Sequence, residues 1–262
     1  MITEVDAPPA KAKLVVTGYI SPDNDSITVR VTMSNPIYVT RPYGNEMNVN
    51  KDATVLISDG LDTLQLVYNS QKQVYQASQQ LLPVIYGKTY YLKVTAPGGY
   101  EATSSCTVPE VSPPDLEIEK IDSVGNSPYT SYIVHFKFQD LPGAGDYYSL
   151  NAAEYEDHPE WGDDPYTFWN VGFDRGEQYV SDKNKDGEYF SYKTWEITFN
   201  NDSSRFYLAI CLTDEHYYKY HKAIYNSDDE NPFAEPYPIY SNINGGLGVF
   251  AAFTGNVIEL DL

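Results

Sequence analysis

The residue pattern best suited to chemistry is a short acidic loop with the spacing D-x-N-x-D-G-E. Asp182, Asn184, Asp186 and Glu188 alternate with other residues, so their side-chain oxygens can surround one point, and the loop's glycine allows a sharp turn. The twelfth position of an EF-hand loop needs a bidentate glutamate, but here it is Lys193. The sequence therefore excludes an EF-hand. It leaves a shorter calcium loop completed by a carboxylate from elsewhere, or a polar hairpin tip that binds no metal.

Aromatic and acidic side chains are interleaved between residues 155 and 190, a stretch without clear hydrophobic periodicity. Such surfaces hold sugars in many proteins, because rings stack on the sugar face and carboxylates accept hydrogen bonds from its hydroxyl groups. The alternative is that the rings anchor a long insertion onto a sheet, and the spacing favours it because nothing in it selects a ligand. The candidate ligand-binding residues are Trp161, Tyr166, Trp169 and Tyr179.

The known catalytic signatures are missing from the sequence. His216 and His221 are separated by about 140° around a helix, so they do not share a face as a zinc pair must. No Ser-His-Asp elbow, phosphate-binding glycine loop or dinucleotide fingerprint is present. With 37 acidic residues some carboxylate pair is always available, so abundance does not indicate a glycosidase. The sequence favours a protein that is not an enzyme.

The charge balance limits the class of partner. The formal net charge is −20, from 37 acidic and 17 basic side chains, and a field of this sign repels phosphate backbones and anionic lipid surfaces. We therefore expect no nucleic-acid partner, and the only cofactor suggested is a structural calcium ion. Cys106 and Cys211 lie far apart in the sequence without a CxxC pattern, which favours two free thiols over a bridge.

Alternating hydrophobicity predicts an all-β protein built from two β-sandwich domains. Short strands separated by turn signals are typical of an immunoglobulin-like or transthyretin-like sandwich, which we predict for residues 13–109. The predicted strands are residues 14–20, 26–34, 53–58, 63–68, 74–77, 89–96 and 100–108.

A proline-rich linker at residues 109–114 separates this domain from a larger second sandwich, predicted for residues 110–262, which includes the insertion 155–190. One short helix is expected from Asp214, a good N-cap, to about Tyr225. Strands at 247–253 and 257–262, around a Thr-Gly-Asn turn, predict a terminal hairpin. Residues 1–12 are predicted to be a tether that follows a removed signal sequence.

A glycine-rich segment near the C-terminus superficially resembles a phosphate loop. It lacks the Lys-Ser/Thr partner and leads into an apolar strand rather than a helix, so a structural role is expected. We predict positive φ angles at two of its glycines, a turn cap from its asparagine, and a close backbone approach at the last glycine. In order, these residues are Gly245 and Gly246, Asn242, and Gly248.

Several stretches together resemble the DUF4249 family, a group of uncharacterised lipoproteins of the Bacteroidetes. The early ones are the opening strand LVVTGYIS, the GKTYYL strand start, the CTVP strand exit and the DYY triplet at residues 146–148. The most specific is the run from Asn231, Pro232 and Phe233 through the glycine-rich segment to residue 250.

The resemblance implies an exported lipoprotein anchored in the outer membrane by a lipid on a cysteine upstream of Met1, facing the periplasm or the cell surface. It also implies an accessory or binding role beside a TonB-dependent outer-membrane receptor, and it carries over no catalytic residue. A glycan-binding module and a glycan-active hydrolase remain as alternatives, with a glycan or another nutrient as ligand.

Overall fold

The computed structural model describes residues 12–35, 48–126, 129–158, 166–174, 178–198, 204–227 and 238–260. Within these residues the protein is all-β, with fifteen strands and one helix, which confirms the fold class expected from the sequence. The chain divides into two compact units. Unit 1 comprises Met1–Val108 and Ala223–Ala252, and unit 2 comprises Pro109–Lys222 and Phe253–Leu262.

Unit 1 has the strand order of an immunoglobulin sandwich. Its strands are β1 (Leu14–Ile20), β2 (Ser26–Met33), β3 (Thr54–Ser58), β4 (Thr63–Asn69), β5 (Val74–Ser78), β6 (Thr89–Ala96) and β7 (Tyr100–Thr107). One row runs β1-β2-β5-β4 and the other runs β4-β3-β6-β7. The first part of β4 pairs with β3 and its last residues pair with β5. These rows match the A-B-E-D and C-F-G sheets of that fold, with strand D shared between them.

The core of unit 1 follows from the alternation in its strands. In β2, Ile27, Val29 and Val31 are fully buried while the residues between them face outward. Each such side chain contributes roughly 1.5–3 kcal/mol on burial. Tyr90 is also fully buried, and its hydroxyl donates to the carbonyl of Pro83 at 2.6 Å, so the ring enters the core without an unpaired polar atom.

Unit 2 contains two sheets. Its strands are β8 (Glu117–Asn126), β9 (Tyr129–Gln139), β10 (Tyr147–Asp157), β11 (Tyr166–Asn170), β12 (Tyr179–Ser181), β13 (Tyr189–Lys193) and β14 (Ser204–Thr213). The helix α1 (Glu215–Ser227) and the strand β15 (Gly246–Leu260) each have residues in both units. One sheet runs β11-β10-β14 and continues to the second part of β15, with β12 also paired to β10; the other runs β13-β9-β8. An aromatic core lies between them, where the rings of Phe138 and Phe190 stack at 5.1 Å.

The helix begins where the sequence predicts. The amide of Tyr217 donates to the Asp214 carboxylate at 2.8 Å, which is the expected N-cap bond. Two of its aromatic side chains pack on unit 2: Tyr217 lies 5.8 Å from the ring of Phe253, and His221 stacks on Tyr179 at 5.2 Å. Burial lowers the pKa of His221 to about 4, so this imidazole is neutral at pH 7.

Two features differ from the sequence-based expectation. The boundary of unit 1 falls at Val108, but residues 223–252 belong to unit 1 rather than to the second domain, because β1 pairs in parallel with the first part of β15. The predicted terminal hairpin is wrong: Gly246–Leu260 is one continuous strand, and Thr254 and Gly255 pair with Leu212 and Cys211 of β14 instead of turning. The predicted tether falls almost wholly on residues 1–11, outside the described residues.

Candidate functional site

The acidic loop connects β12 to β13 in unit 2. It is folded by its own backbone: the amide of Lys185 donates to the carbonyl of Asp182 at 2.6 Å, and the amide of Glu188 donates to Lys185 at 3.0 Å. Asn184 and Gly187 adopt positive φ angles of 65° and 73°, which glycine takes without cost and asparagine more readily than most residues. The D-x-N-x-D-G pattern therefore produces a tight, preformed loop.

A second loop, between β9 and β10, meets this one. It begins at Asp140 and ends at Asp146, and its glycines Gly143 and Gly145 have φ angles of 114° and 112°. Their amides donate to the acidic loop, Gly143 to Asp186 at 2.9 Å and Gly145 to Asp182 at 2.6 Å. These crossed hydrogen bonds bring together aspartates that are about forty positions apart in the sequence.

The result is a cluster of carboxylates from both loops. One oxygen each from Asp140, Asp146 and Asp182 lie within 4.8 Å of one another. Asp140 and Asp182 are 3% and 4% exposed, and Asp146 is half-buried. Asp140 is held in place by the buried Tyr148, whose hydroxyl donates to it at 2.7 Å. We call Asp140, Asp146 and Asp182 the carboxylate cluster.

Electrostatics inside the carboxylate cluster are unfavourable. The pKa of Asp146 is raised to about 6, first by burial and then by the negative charges of Asp140, Asp182 and Asp186. Among the residues that the structure describes, no lysine, arginine or histidine nitrogen lies within 4.0 Å of these four carboxylates. Lys185 instead places its ammonium over the ring of Phe190, 5.0 Å from the ring centre.

This arrangement suits a hard divalent cation. Carboxylate and carbonyl oxygens are the preferred donors of Ca²⁺, and a cation would remove the repulsion that raises the Asp146 pKa. Of the predicted metal residues, Asp182 is in the carboxylate cluster and Asp186 lies beside it, bonded to Gly143. Glu188 is exposed and is not in the cluster, and Asn184 is exposed at the tip of the loop with a positive φ angle.

Sequence reasoning missed Asp140 and Asp146. The only local signal was a Gly-x-Gly-Asp sequence before a strand, which also describes many ordinary turns. Their proximity to Asp182 depends on the pairing of β10 with β12, where Tyr147 is opposite Ser181. In the calcium hypothesis, the carboxylates supplied from elsewhere in the chain would be those of Asp140 and Asp146.

The three predicted aromatic residues that the structure describes do not form one surface. Trp161 lies outside the described residues. Tyr166 and Trp169 are each 46% exposed, but strand alternation places them on opposite faces of β11. Tyr179 is stacked on His221 near the helix, so it is an anchoring residue there.

A different aromatic group occupies the outer face of the same sheet. The ring of Tyr155 stacks on Tyr166 at 5.1 Å and meets Tyr207 edge-on at 6.1 Å. Phe168 lies opposite Tyr155 in the register and is 58% exposed. Beside them the Arg205 guanidinium lies 3.5 Å from Asp157. We call Tyr155, Tyr166, Phe168 and Tyr207 the aromatic face.

Two buried carboxylates lie on the core side of β10. Glu154 and Glu156 are 8% and 6% exposed, and Glu154 has one carboxylate oxygen without a hydrogen-bond partner among the described residues. Burial, followed by the charge of Glu156, raises the pKa of Glu154. The two side chains point to the same face of one strand, so they do not confront each other across a cleft as glycosidase carboxylates do.

The glycine-rich segment is structural in the described part of the chain. Gly245 has φ +83° and Gly248 has φ +105°, and a Cβ on either would lie within 2.3 Å of a backbone oxygen. Gly246 differs from the prediction, because its φ is not in the left-handed region. Asn242 does not cap the turn; its side chain donates to Phe250 at 2.7 Å and accepts from the Phe250 amide at 3.0 Å. Asn231, Pro232 and Phe233 lie outside the described residues.

Comparison with known proteins gives one family. The model of the domain of unknown function DUF4249 matches residues 2–257. No curated protein matches the chain.

Among the described residues, no helix is long and apolar enough to cross a membrane. Cys106 is buried and Cys211 is partly buried, and the two are not joined by a disulfide bond.

Proposed function

The chain belongs to the DUF4249 family, and we propose that it is a non-enzymatic lipoprotein of the cell envelope whose unit 2 binds Ca²⁺. In this proposal it acts as an accessory or binding protein beside a TonB-dependent outer-membrane transporter. The observation that carries the calcium assignment is the convergence of Asp140, Asp146 and Asp182 from two loops.

Calcium is favoured over a softer metal by the donors. Every side chain in the carboxylate cluster offers oxygen, and neither histidine nor cysteine takes part, as zinc or copper would prefer. Calcium also tolerates irregular oxygen geometry better than magnesium, which demands a near-ideal octahedron. The cation would join the loop after β9 to the loop after β12.

The weak calcium affinity that we expect of this site is compatible with the proposed extracytoplasmic location. With three clustered carboxylates and no bidentate glutamate in the twelfth position, we expect a dissociation constant of roughly 10⁻⁴–10⁻³ M, the range of extracellular calcium modules. A site this weak fills only where calcium is millimolar, as it is outside the cytoplasm. The acidic surface that gives the chain its net charge of −20 is compatible with such a medium.

A thermal unfolding experiment tests the calcium assignment. Millimolar CaCl₂ should raise the melting temperature relative to a chelator, and Asp182→Asn should abolish the increase. Asp174→Asn is the matched control, because Asp174 is an exposed aspartate of unit 2 outside the carboxylate cluster. Equal melting in calcium and in chelator would refute the proposal.

The accessory role is tested separately by its partner. A lipidated, affinity-tagged form expressed in its own host should recover a β-barrel receptor after cross-linking and detergent extraction. A matched lipoprotein with an unrelated soluble domain controls for general membrane carry-over. Repeated recovery of no envelope protein above that control would count against the accessory role and would leave the calcium assignment intact.

A second candidate function, glycan binding, is favoured by the aromatic face. Exposed rings beside an Arg205–Asp157 ion pair provide both a stacking surface and hydrogen-bonding groups. Phe168→Ala should reduce retention on immobilised oligosaccharides, whereas Tyr91→Ala, which removes a ring that is 52% exposed in unit 1, should not. A glycan array without signal would remove this candidate. A glycan-active hydrolase has less support, because Glu154 and Glu156 share one face of one strand.

A further inference from the structure

A surface pocket of about 610 Å³ lies in unit 1, where β2, β5 and β4 are neighbours. This volume is within the range of small-molecule sites, roughly 300–1,000 Å³. The pocket is remote in sequence from the carboxylate cluster and uses no residue of unit 2. It is lined by Asp25, Ser26, Val67, Tyr68, Asn69, Ser70, Gln71, Gln76, Ala77 and Ser78.

The strand register explains why this surface is polar. Ser26 is opposite Ser78, and Gln76 is opposite Val67, so these four side chains share the outward face of the sheet. Val67 is 70% exposed and supplies an apolar contact in the middle of polar groups. The opposite face carries the buried Tyr75 and belongs to the core.

The rim of the pocket is preformed by the hairpin that joins β4 to β5. The side chain of Asn69 accepts hydrogen bonds from the amides of Gln71 at 3.0 Å and Lys72 at 3.1 Å, which fixes the turn. Gln73 has a φ of 55°, a conformation that costs energy in a residue with a side chain. A rim held in this way loses little further conformational entropy when a ligand binds.

Several lining groups are available to a ligand. The side chains of Asp25, Gln71 and Gln76 make no hydrogen bond to any other part of the chain that the structure describes. Amides donate and accept, hydroxyl groups do both, and the carboxylate accepts, so the pocket presents mixed hydrogen-bonding capacity. No lysine, arginine or histidine is among its lining residues, which disfavours phosphates, sulfates and carboxylates.

We propose that this pocket binds a neutral saccharide. Vicinal hydroxyl groups combine donors and acceptors at the spacing that Gln, Asn and Asp side chains can meet, and the C–H face of a sugar ring can lie on Val67. The inference names a ligand class for the proposed binding role and therefore rests on it. It depends on neither the calcium ion nor the transporter partner.

An array of neutral oligosaccharides, printed beside the sulfated and uronic-acid forms of the same chains, tests the proposal on the full-length protein. The wild type should retain neutral glycans and bind their anionic forms at least several-fold less. Titration of the strongest neutral oligosaccharide should then show roughly three- to tenfold weaker binding for Gln76→Ala and for Asp25→Ala, since each loses a hydrogen bond to the ligand.

Gln65→Ala is the matched control, because Gln65 is an exposed glutamine on the same face of β4 that does not line the pocket. Its affinity should equal that of the wild type, and circular dichroism should show the same melting for all three variants. The inference is overturned if no neutral glycan binds, if both pocket variants bind like the wild type, or if anionic glycans bind equally well. Any of these results with an intact calcium response would leave the proposed calcium site standing.

Discussion

The Asp146→Asn substitution distinguishes between two hypotheses: that the carboxylate cluster binds calcium, or that it only stabilises the conformation of the two loops. In the calcium-free protein the pKa of Asp146 is raised from 3.8 to about 6 by burial and by Asp140, Asp182 and Asp186. A carboxyl group whose pKa is raised by folding costs stability progressively as the pH rises from about 4 to about 6. Above that range the loss of folding free energy is at most about 3 kcal/mol. Because Asp146 remains partly open to water, solvent screening lowers this loss to about 1.5 kcal/mol.

The neutral asparagine removes this cost. Without calcium, Asp146→Asn should therefore be more stable than the wild type at pH 7 by about 1.5 kcal/mol and should lack the loss of stability between pH 4 and 6. Calcium should bring the two proteins to nearly equal stability. With a dissociation constant near 1 mM, 10 mM CaCl₂ stabilises the wild type by about 1.4 kcal/mol, and the variant should gain little.

Tryptophan fluorescence during urea unfolding measures this effect selectively. All three tryptophans, Trp161, Trp169 and Trp195, belong to unit 2, so the signal follows the unit that contains the carboxylate cluster. The titrations are run at pH 4, 5.5 and 7 with either a chelator or CaCl₂, and Asp174→Asn serves as the exposed control. A variant that is less stable than the wild type in chelator at pH 7, or that gains as much from calcium, would refute the reasoning.

Three further substitutions test the remaining structural assignments. Asn242→Ala should destabilise unit 1 by about 2–3 kcal/mol, because it leaves the buried backbone of Phe250 without two hydrogen bonds; thermal unfolding followed by circular dichroism measures this. Gly248→Ala should cost at least about 3 kcal/mol in the same assay, since a Cβ would lie 2.1 Å from the Val16 carbonyl oxygen at a φ of +105°. Glu154→Gln should stabilise unit 2 at pH 7 and make its stability less dependent on pH. Burial raises the pKa of Glu154, so the wild-type folded state loses stability as the pH rises and this carboxyl group ionises. Tryptophan-monitored urea unfolding at several pH values measures this.

Each of these has a matched control. Asn242→Asp keeps the shape and the acceptor but loses the donor, so it should fall between the wild type and the alanine variant. Gly99 has a positive φ with nothing within 4 Å of an added Cβ, so Gly99→Ala isolates the backbone cost. Equal costs at Gly99 and Gly248 would show that the close approach is unimportant. Glu196→Gln, at an exposed site of unit 2, should leave the pH dependence unchanged.

Local sequence patterns were sufficient to predict most of the strands and the helix. The alternation of Ile27, Val29 and Val31 predicts β2 because one face of that strand is buried, and the period of two is a property of the strand itself. Asp214 predicts the start of α1 because an N-cap bond spans only three residues. In both cases the deciding interaction lies within a few residues of the pattern.

The elements that sequence reasoning missed depend on pairings between distant residues. Thr254-Gly255-Asn256 resembles a turn, but these residues are paired with β14, and the hydroxyl of Thr254 donates to the carbonyl of Val111. The carboxylate cluster is equally non-local, because Asp140 and Asp146 reach Asp182 only through the pairing of β10 with β12. No short window of sequence contains either relationship.

The glycine-rich segment shows how a specific sequence pattern can identify a fold without identifying a ligand. Added Cβ atoms on Gly245, Gly246 and Gly248 would lie 2.3, 2.8 and 2.1 Å from backbone oxygens of neighbouring strands, so packing alone demands glycine at all three positions. Asn242 has its donor and acceptor engaged with the Phe250 backbone. The space beside these glycines is filled by the backbone, and the hydrogen-bonding groups of Asn242 are used within the chain. A ligand must therefore be bound by other groups. Among the described residues, the Asp146 carboxylate and the side chains of Asp25, Gln71 and Gln76 in the unit 1 pocket are such groups, and binding experiments should therefore target these two places.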